Sequence, residues 1–432
     1  MGLRRLDLRG FAGDRRELAD RLPRPVDEQD RSSDAVAAIL ADVRANGDEA
    51  LRRLTATFDR VDIEDLRVPA DELTAALGRI PSELQEALDV AHDRILAYHA
   101  HEAGEAPGDF TNAGVTVRHL IRPVARAGCY APGGRARYPS TVLMCAVPAH
   151  VAGVAEIVLC VPPGPDGRIA DATLAAAAVA GVTEVYSVGG AQAIAAMAFG
   201  TESIAAVDVI VGPGNRYVAE AKRQVSGVVG VASAFAGPSE VVVIAGPDTP
   251  PEYAAIDLVV QAEHGPDGLA WLITWSEELA DQVDAAVDRI VAESPRRADL
   301  EATLGAGGYA VLVDGPKQAC AVSNVVAPEH LELLTKGAES MLGNIESAGA
   351  VFLGTNAPAS VGDYLAGPNH VLPTNRTARF ASALRVDDFV KHIHAVSMDD
   401  AAVRALGPHV VTLATTEGLP AHARSVELRW QP

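Results

Sequence analysis

The sequence predicts an α/β protein built from two doubly wound domains, one inserted in the other, with small segments at the N- and C-termini. Between residues 155 and 225, three short apolar runs each end in a glycine-bearing turn that opens a helical stretch. Strand-like and helix-like stretches alternate again from 240 to 313. The long helical stretches before residue 128 carry apolar faces that need a sheet to cover.

Residues 1–28 are polar and arginine-rich and read as an arm that packs on something else. A helix follows over 33–58, with Val36, Ile39, Leu40, Val43, Leu51, Leu54 and Phe58 at helical spacing. More helix runs over 69–101, with Ser82 as an N-cap. His99 and His101 point apart on such a helix and read as solvated or capping residues. Residues 115–121 alternate like a strand, and Val124 leads into the loop Gly128-Cys129-Tyr130-Ala131-Pro132-Gly133-Gly134. Strands over 155–161, 184–188 and 207–211 alternate with helices over 170–180, 193–199 and 217–225. Their turns gather at the carboxyl edge of a parallel sheet, where such sheets bind nucleotides. None is a G-x-G-x-x-G, so either the glycines only permit tight turns or they also admit a phosphate.

The second domain opens with a strand at 240–245. A helix over 251–264 has the apolar stripe Tyr253, Ile256 and Val260, continued by His264. Gln261 lies one turn before His264, and Gly265-Pro266 ends the helix. A strand at 270–275, a helix at 277–293 and a strand at 309–313 complete the pattern. Assigning the N-terminal helices to this sheet gives one domain of 29–128 plus 239–380, interrupted by 129–238 and followed by a C-terminal segment, 381–432.

The formal net charge of −21 over 432 residues is the wrong sign for a nucleic-acid binder. No long uninterrupted apolar run marks a membrane span, and the start lacks a signal-peptide core, which implies a cytoplasmic protein. No C-x-x-C pair is present among Cys129, Cys145, Cys160 and Cys320. Cys129, beside the glycine-rich loop, is either a nucleophile or an inert loop residue.

Seven of the 12 histidines lie after residue 260, several with acidic neighbours. In Pro328-Glu329-His330, Pro328 fits the first position of a helix and Glu329 its first turn. A carboxylate beside an imidazole offers a base and a proton shuttle near neutral pH. Asp363 and His370 fall in a stretch too interrupted for regular structure, and His422 near the C-terminus needs something to fix it. Zinc takes nitrogen and oxygen ligands, so Gln261, His264, Asp363 and His422 are a candidate ligand set, competing with hydrogen-bonded and capping roles for the same residues.

Several blocks carry a resemblance. They are Tyr130-x-Pro132-Gly133-Gly134, Gly189-Gly190-Ala191-Gln192, Gly212-Pro213-Gly214-Asn215, Gly237-Pro238-Ser239-Glu240, Gln261-Ala262-Glu263-His264, Pro328-Glu329-His330-Leu331, Gly362-Asp363-Tyr364, Asn369-His370-Val371-Leu372-Pro373-Thr374 and Leu419-Pro420-Ala421-His422-Ala423. In this order and spacing the chain resembles the histidinol dehydrogenase family nearly end to end. The resemblance implies two incomplete Rossmann-like domains and oxidation of L-histidinol, through the aldehyde, to L-histidine with two NAD⁺. It implies one zinc per subunit on Gln261, His264, Asp363 and His422, with His422 given to the partner's site in a homodimer. Tyr130, Gln192 and Asn215 match NAD-contacting positions. Ser239, Glu417 and His370 match positions near the substrate, and Glu329 and His330 match the catalytic acid–base pair.

Two stretches depart from that pattern, Ala232-Ser233-Ala234-Phe235 and Lys391-His392-Ile393-His394. The alternative is therefore a paralogue that oxidises another polar alcohol, such as a sulfonated diol or an amino alcohol. A non-catalytic metal- or nucleotide-binding protein is a third reading, against which intact Glu329 and His330 argue.

Overall fold

The computed structural model describes residues 2–23, 33–104, 107–133, 137–232, 239–263 and 268–430. Two compact units result, Met1–Glu102 with Ala125–Phe389, and Ala103–Val124 with Val390–Pro432.

In the first unit the chain begins with β1 (Arg4–Asp7), α1 (Arg15–Arg21), α2 (Ser33–Phe58), α3 (Ala70–Leu77) and α4 (Ser82–Ala103). After β2 (Phe110–Asn112) and β3 (Val115–Pro123) of the second unit come β4 (Arg126–Tyr130), α5 (Pro139–Ala152), β5 (Glu156–Cys160), α6 (Asp171–Val179), β6 (Glu184–Tyr186), α7 (Gly190–Phe199), β7 (Val209–Val211), α8 (Arg216–Val225) and β8 (Gly230–Val231). These strands form an all-parallel sheet in the order β6-β5-β4-β7-β8. Counted from its first strand the order is 3-2-1-4-5, that of a doubly wound half with its switch point between β4 and β7.

The chain then repeats the plan with β9 (Glu240–Ala245), α9 (Pro251–Ala262), β10 (Leu269–Thr274), α10 (Glu277–Glu293), α11 (Arg297–Gly307), β11 (Gly308–Leu312), α12 (Pro316–Val326), β12 (His330–Leu334), α13 (Ala338–Met341), β13 (Ala350–Leu353) and α14 (Ala359–Tyr364). The second sheet is also parallel, β1-β11-β10-β9-β12-β13. Without β1 its order is again 3-2-1-4-5. Its central strands are buried on both faces and read as near-continuous apolar runs.

Two expectations about domain membership need correcting. The N-terminal arm is no separate element, because Arg4–Asp7 pairs with β11 as an edge strand. The N-terminal helices cover the other sheet from the one expected. Val36, Ile39, Leu40, Val43, Leu51 and Leu54 of α2 share a core with Ile194 and Met197 of α7 and Val218 of α8. Helix α2 thus supplies an apolar face that the five-stranded sheet's own short helices leave open. Each such wholly buried aliphatic side chain contributes about 1.5–3 kcal/mol.

In the second unit β14 (Val390–Met398) pairs antiparallel with β3, which also pairs with β2. Helices α15 (Asp400–Thr416) and α16 (Pro420–Trp430) pack on each other. The divergent residues His392 and His394 lie on β14, flanking His119 of β3. No helix among the described residues is long and apolar enough to cross a membrane.

Candidate active site

Pro328-Glu329-His330 does not open a helix. Helix α12 ends at Ala327 in a left-handed conformation (φ 51°), and His330 begins strand β12. The local signals favoured a helix start, but tertiary pairing prevails. The run His330-Leu331-Glu332-Leu333-Leu334 is buried throughout and hydrogen-bonded between β9 and β13. Glu329 and His330 therefore sit at the amino end of a central strand, at the switch point of the second sheet.

Next to them, Ser239 precedes β9. Its hydroxyl donates to Glu329 Oε2, and the Glu240 N–H donates to the same oxygen at 3.1 Å. Glu329 Oε2 lies 3.7 Å from His330 Nδ1, and Asp363 Oδ1 lies 3.4 Å from His330 Nε2. Neither ring nitrogen makes a well-aligned hydrogen bond among the described residues. Burial lowers the pKa of His330, but the Glu329 carboxylate and then Asp363 outweigh it, so the net shift is upward. The wholly buried Glu240 carboxyl is pushed up to about 8 by burial and then by the Glu329 charge. A neutral acid thus stands behind the pair at pH 7.

Asp363 is held by a short helix, α14, where irregular structure was expected. Its backbone carbonyl accepts from His370 Nδ1 at 2.8 Å. That bond fixes the proton on Nδ1, so His370 Nε2 is the acceptor for the Thr141 hydroxyl, 3.3 Å away. Burial lowers the His370 pKa, which favours this neutral ring. Because Thr141 lies in the first turn of α5, this contact joins the amino edge of the second sheet to the carboxyl edge of the first.

On that carboxyl edge, Tyr130 ends β4 and its hydroxyl accepts the Gly190 N–H at 3.1 Å. Gln192 is buried in the first turn of α7. Asn215 caps α8, its Oδ1 accepting from the N–H groups of Tyr217 and Val218. Gly212 adopts φ 105°, and a Cβ there would collide with the Tyr130 carbonyl oxygen. The glycine turns thus draw Tyr130 and Asn215 together around the switch point. Cys129 is wholly buried, and burial raises its thiol well above the ordinary range, so it is no nucleophile.

Gln261 closes α9, but the expected stripe is not the buried face. Tyr253 and Ile256 are exposed, whereas Ala254, Ala255, Leu258, Val259 and Ala262 pack on the sheet. Small residues let the helix approach closely, and Gln261 falls on this inner face, buried, with no hydrogen-bond partner for its Nε2 among the described residues. His264 lies outside the described residues, as do Gly134, Ser233 to Pro238, and Gly265 to Asp267. The end of α9 and Asp363 converge on Tyr364, whose phenol is raised by burial and then by Asp363, Tyr138 and Glu263. No group of three or more His, Cys, Asp or Glu that could hold a metal is present among the described residues. Glu417 and His422 belong to the second unit, both exposed, where α15 ends and α16 begins.

The histidinol dehydrogenase family profile matches residues 22–430. The chain belongs to the histidinol dehydrogenase family. It is accordingly an NAD-dependent oxidoreductase of histidine biosynthesis. It is 48% identical over 397 residues to the histidinol dehydrogenase of Neisseria gonorrhoeae, covering 91% of this chain and 92% of that one. It is 46% identical over 430 residues to the histidinol dehydrogenase of Gluconobacter oxydans, covering 99% of each chain. The crystal structure of histidinol dehydrogenase from Elizabethkingia anophelis superposes with a TM-score of 0.92 at 36% identity, covering 99% of this chain and 98% of that one.

Four residues around this candidate site were given no role in it by the sequence reading: Thr141, Glu240, Glu332 and His99. Glu332 was legible in principle, since a strand puts it on the face of His330 two residues earlier. His99 is wholly buried rather than solvated, its Nδ1 bonded to Glu102 at 2.9 Å.

Proposed function

We propose that this chain oxidises L-histidinol through the aldehyde to L-histidine, reducing two NAD⁺, in a homodimer with one zinc ion per subunit. The convergence of Glu329, His330, Asp363 and His370 at one switch point, joined by Thr141 to the nucleotide-type edge, carries this reading. Gln261, His264 and Asp363, with His422 of the other subunit, would hold the zinc. The buried Nε2 of Gln261, which has no hydrogen-bond partner among the described residues, fits that role, because a flipped amide directs its oxygen to the same place. When bound, zinc would orient the imidazole and amine of the substrate. Tyr130, Gln192 and Asn215 would place the nicotinamide cofactor, which accepts hydride, and Ser239, His370 and Glu417 would line the substrate.

His330 takes the alcohol proton at Nε2. Its Nδ1 faces Glu329, whose charge stabilises the imidazolium. Glu329 then accepts a proton from the water that adds to the aldehyde, while Ser239 and the Glu240 N–H hold its Oε2 in place. The exposure of Leu413, Leu419 and Leu428 around the His422 turn supports a partner subunit covering that face. The acidic chain and the family's biosynthetic role support a cytoplasmic location without nucleic-acid or membrane partners.

The test is NADH formed per L-histidinol consumed, with zinc and excess NAD⁺. Two NADH per substrate, with histidine as product, is expected. No turnover by folded, zinc-loaded protein would overturn the substrate assignment.

A further inference from the structure

Lys222 lies on α8 and is buried, although its side chain can carry a charge. Its Nζ donates to the carbonyl oxygen of Gly212, ten residues earlier and just after β7. Burial pushes the Lys222 ammonium down to about 8. The titratable groups acting on it are the thiols of Cys129 on β4 and Cys145 on α5, and burial raises both, so they stay neutral at that pH. A fold gains little by burying a charged side chain, so this lysine needs a reason other than stability.

The turn that it grips supplies one. The peptide between Gly212 and Pro213 has no N–H, because the ring of Pro213 occupies the nitrogen. Its carbonyl oxygen is therefore the one hydrogen-bonding group by which that plane can be oriented. Gly212, at φ 105°, has no side chain to restrict it. Two residues on, Gly214 lies against α8, where a Cβ would collide with Val218. Val218 and Lys222 are one turn apart on the buried face of that helix. Together they form a bed beneath the turn, Val218 by contact under Gly214 and Lys222 by its bond to Gly212. On the other side Pro213 and Gly214 are half-buried and Asn215 is exposed, so the turn is open to a ligand there.

We propose that Lys222 is a positioning residue for the nicotinamide cofactor, which it does not touch: by holding the Gly212 carbonyl it fixes the turn from Gly212 to Asn215 in the form that receives the cofactor. The inference rests on the reading of Tyr130, Gln192 and Asn215 as the cofactor edge.

The test uses the full-length, zinc-loaded enzyme and Lys222→Met, which keeps the length of the side chain but removes the donor and the charge. Affinity for NADH is read by fluorescence titration and KM for NAD⁺ by steady-state kinetics. Both should weaken by about 10-fold, or roughly 1.4 kcal/mol, close to the lower end of what a hydrogen bond from a charged group contributes. KM for L-histidinol should stay within about threefold, since the loss falls on cofactor binding. Thermal unfolding should keep the parent's midpoint, because removal of a buried charge offsets the lost bond. Lys222→Gln keeps an N–H donor and should lose less; where it alone folds, it carries the same comparison. Failure of both variants to fold, or a lowered midpoint with parent-like NADH affinity, makes the lysine a support of the domain and overturns the proposal. Gln192→Ala separates the two readings. If it binds NADH as the parent does, this edge is not the cofactor site, and the proposal falls with that reading. If it binds NADH weakly while Lys222→Met matches the parent, the proposal alone is overturned.

Discussion

Replacing Glu329 by glutamine tests the division of labour between the two central residues. The variant keeps side-chain volume and an oxygen for the Ser239 hydroxyl and the Glu240 N–H, but removes the charge. At the 3.7 Å between Glu329 Oε2 and His330 Nδ1, that charge stabilises protonated His330 by at most about 4.5 kcal/mol, taking an effective dielectric constant of about 20. Both side chains are nearly buried, so solvent screens little of this. His330 must be unprotonated to act as a base. In the parent, burial lowers its pKa but Glu329 and Asp363 more than compensate, so activity rises with pH through a raised pKa. Loss of the Glu329 charge lowers that pKa, and the acidic limb of kcat/KM moves to lower pH. The proposed role in aldehyde hydration adds a second effect. Stopped-flow absorbance with L-histidinol should show the first NADH forming readily and the second slowed by about 10²–10⁴-fold, or roughly 3–5 kcal/mol of barrier. An acidic limb that stays put or moves upward refutes the electrostatic argument. Equal slowing of both NADH phases refutes the assignment of Glu329 to hydration.

Other expectations follow from the same geometry. His330→Asn should keep zinc, measured by metal analysis, and lose about 10²–10⁴-fold in kcat; unchanged turnover removes it from the mechanism. Gly212→Ala forces a Cβ onto the Tyr130 carbonyl oxygen at a positive φ. The strained dihedral alone should cost about 1–3 kcal/mol, read by denaturant unfolding, and the KM for NAD⁺ should rise. Native protein should resist alkylation at Cys129 because the thiol is buried and its pKa raised; labelling with parallel loss of activity would contradict this. Mixed Gln261→Ala and His422→Ala subunits, each inactive alone, should recover about a quarter of parental activity, since a two-fold dimer sharing ligands across its interface regains one intact site in each mixed dimer. No recovery after verified subunit exchange would place all ligands in one chain.

What the sequence by itself determined is the repeated strand–turn–helix plan and the chemistry available to it. The strands at 240–245 and 156–160 are legible because a strand buried on both faces must be apolar nearly throughout. The turn at Gly212 is legible because close approach to a neighbouring strand excludes a side chain. The motif residues, read together in order, named the family. Tertiary structure decided the rest wherever local signals were balanced. Pro328-Glu329 has the composition of a helix start, yet pairing with β9 and β13 makes His330 the first residue of a strand. Helix α9 offers two apolar faces, and the sheet selects the one rich in alanine because it packs closer, turning Gln261 inward. The N-terminal helices could have covered either sheet, and only the open face beside α7 and α8 settles which. The bond from the Ala359 N–H to the Glu332 carboxyl joins a helix to a strand 27 positions earlier in the chain. Periodicity reports which face of an element is apolar, whereas the partner of a buried carboxyl depends on how separate elements meet.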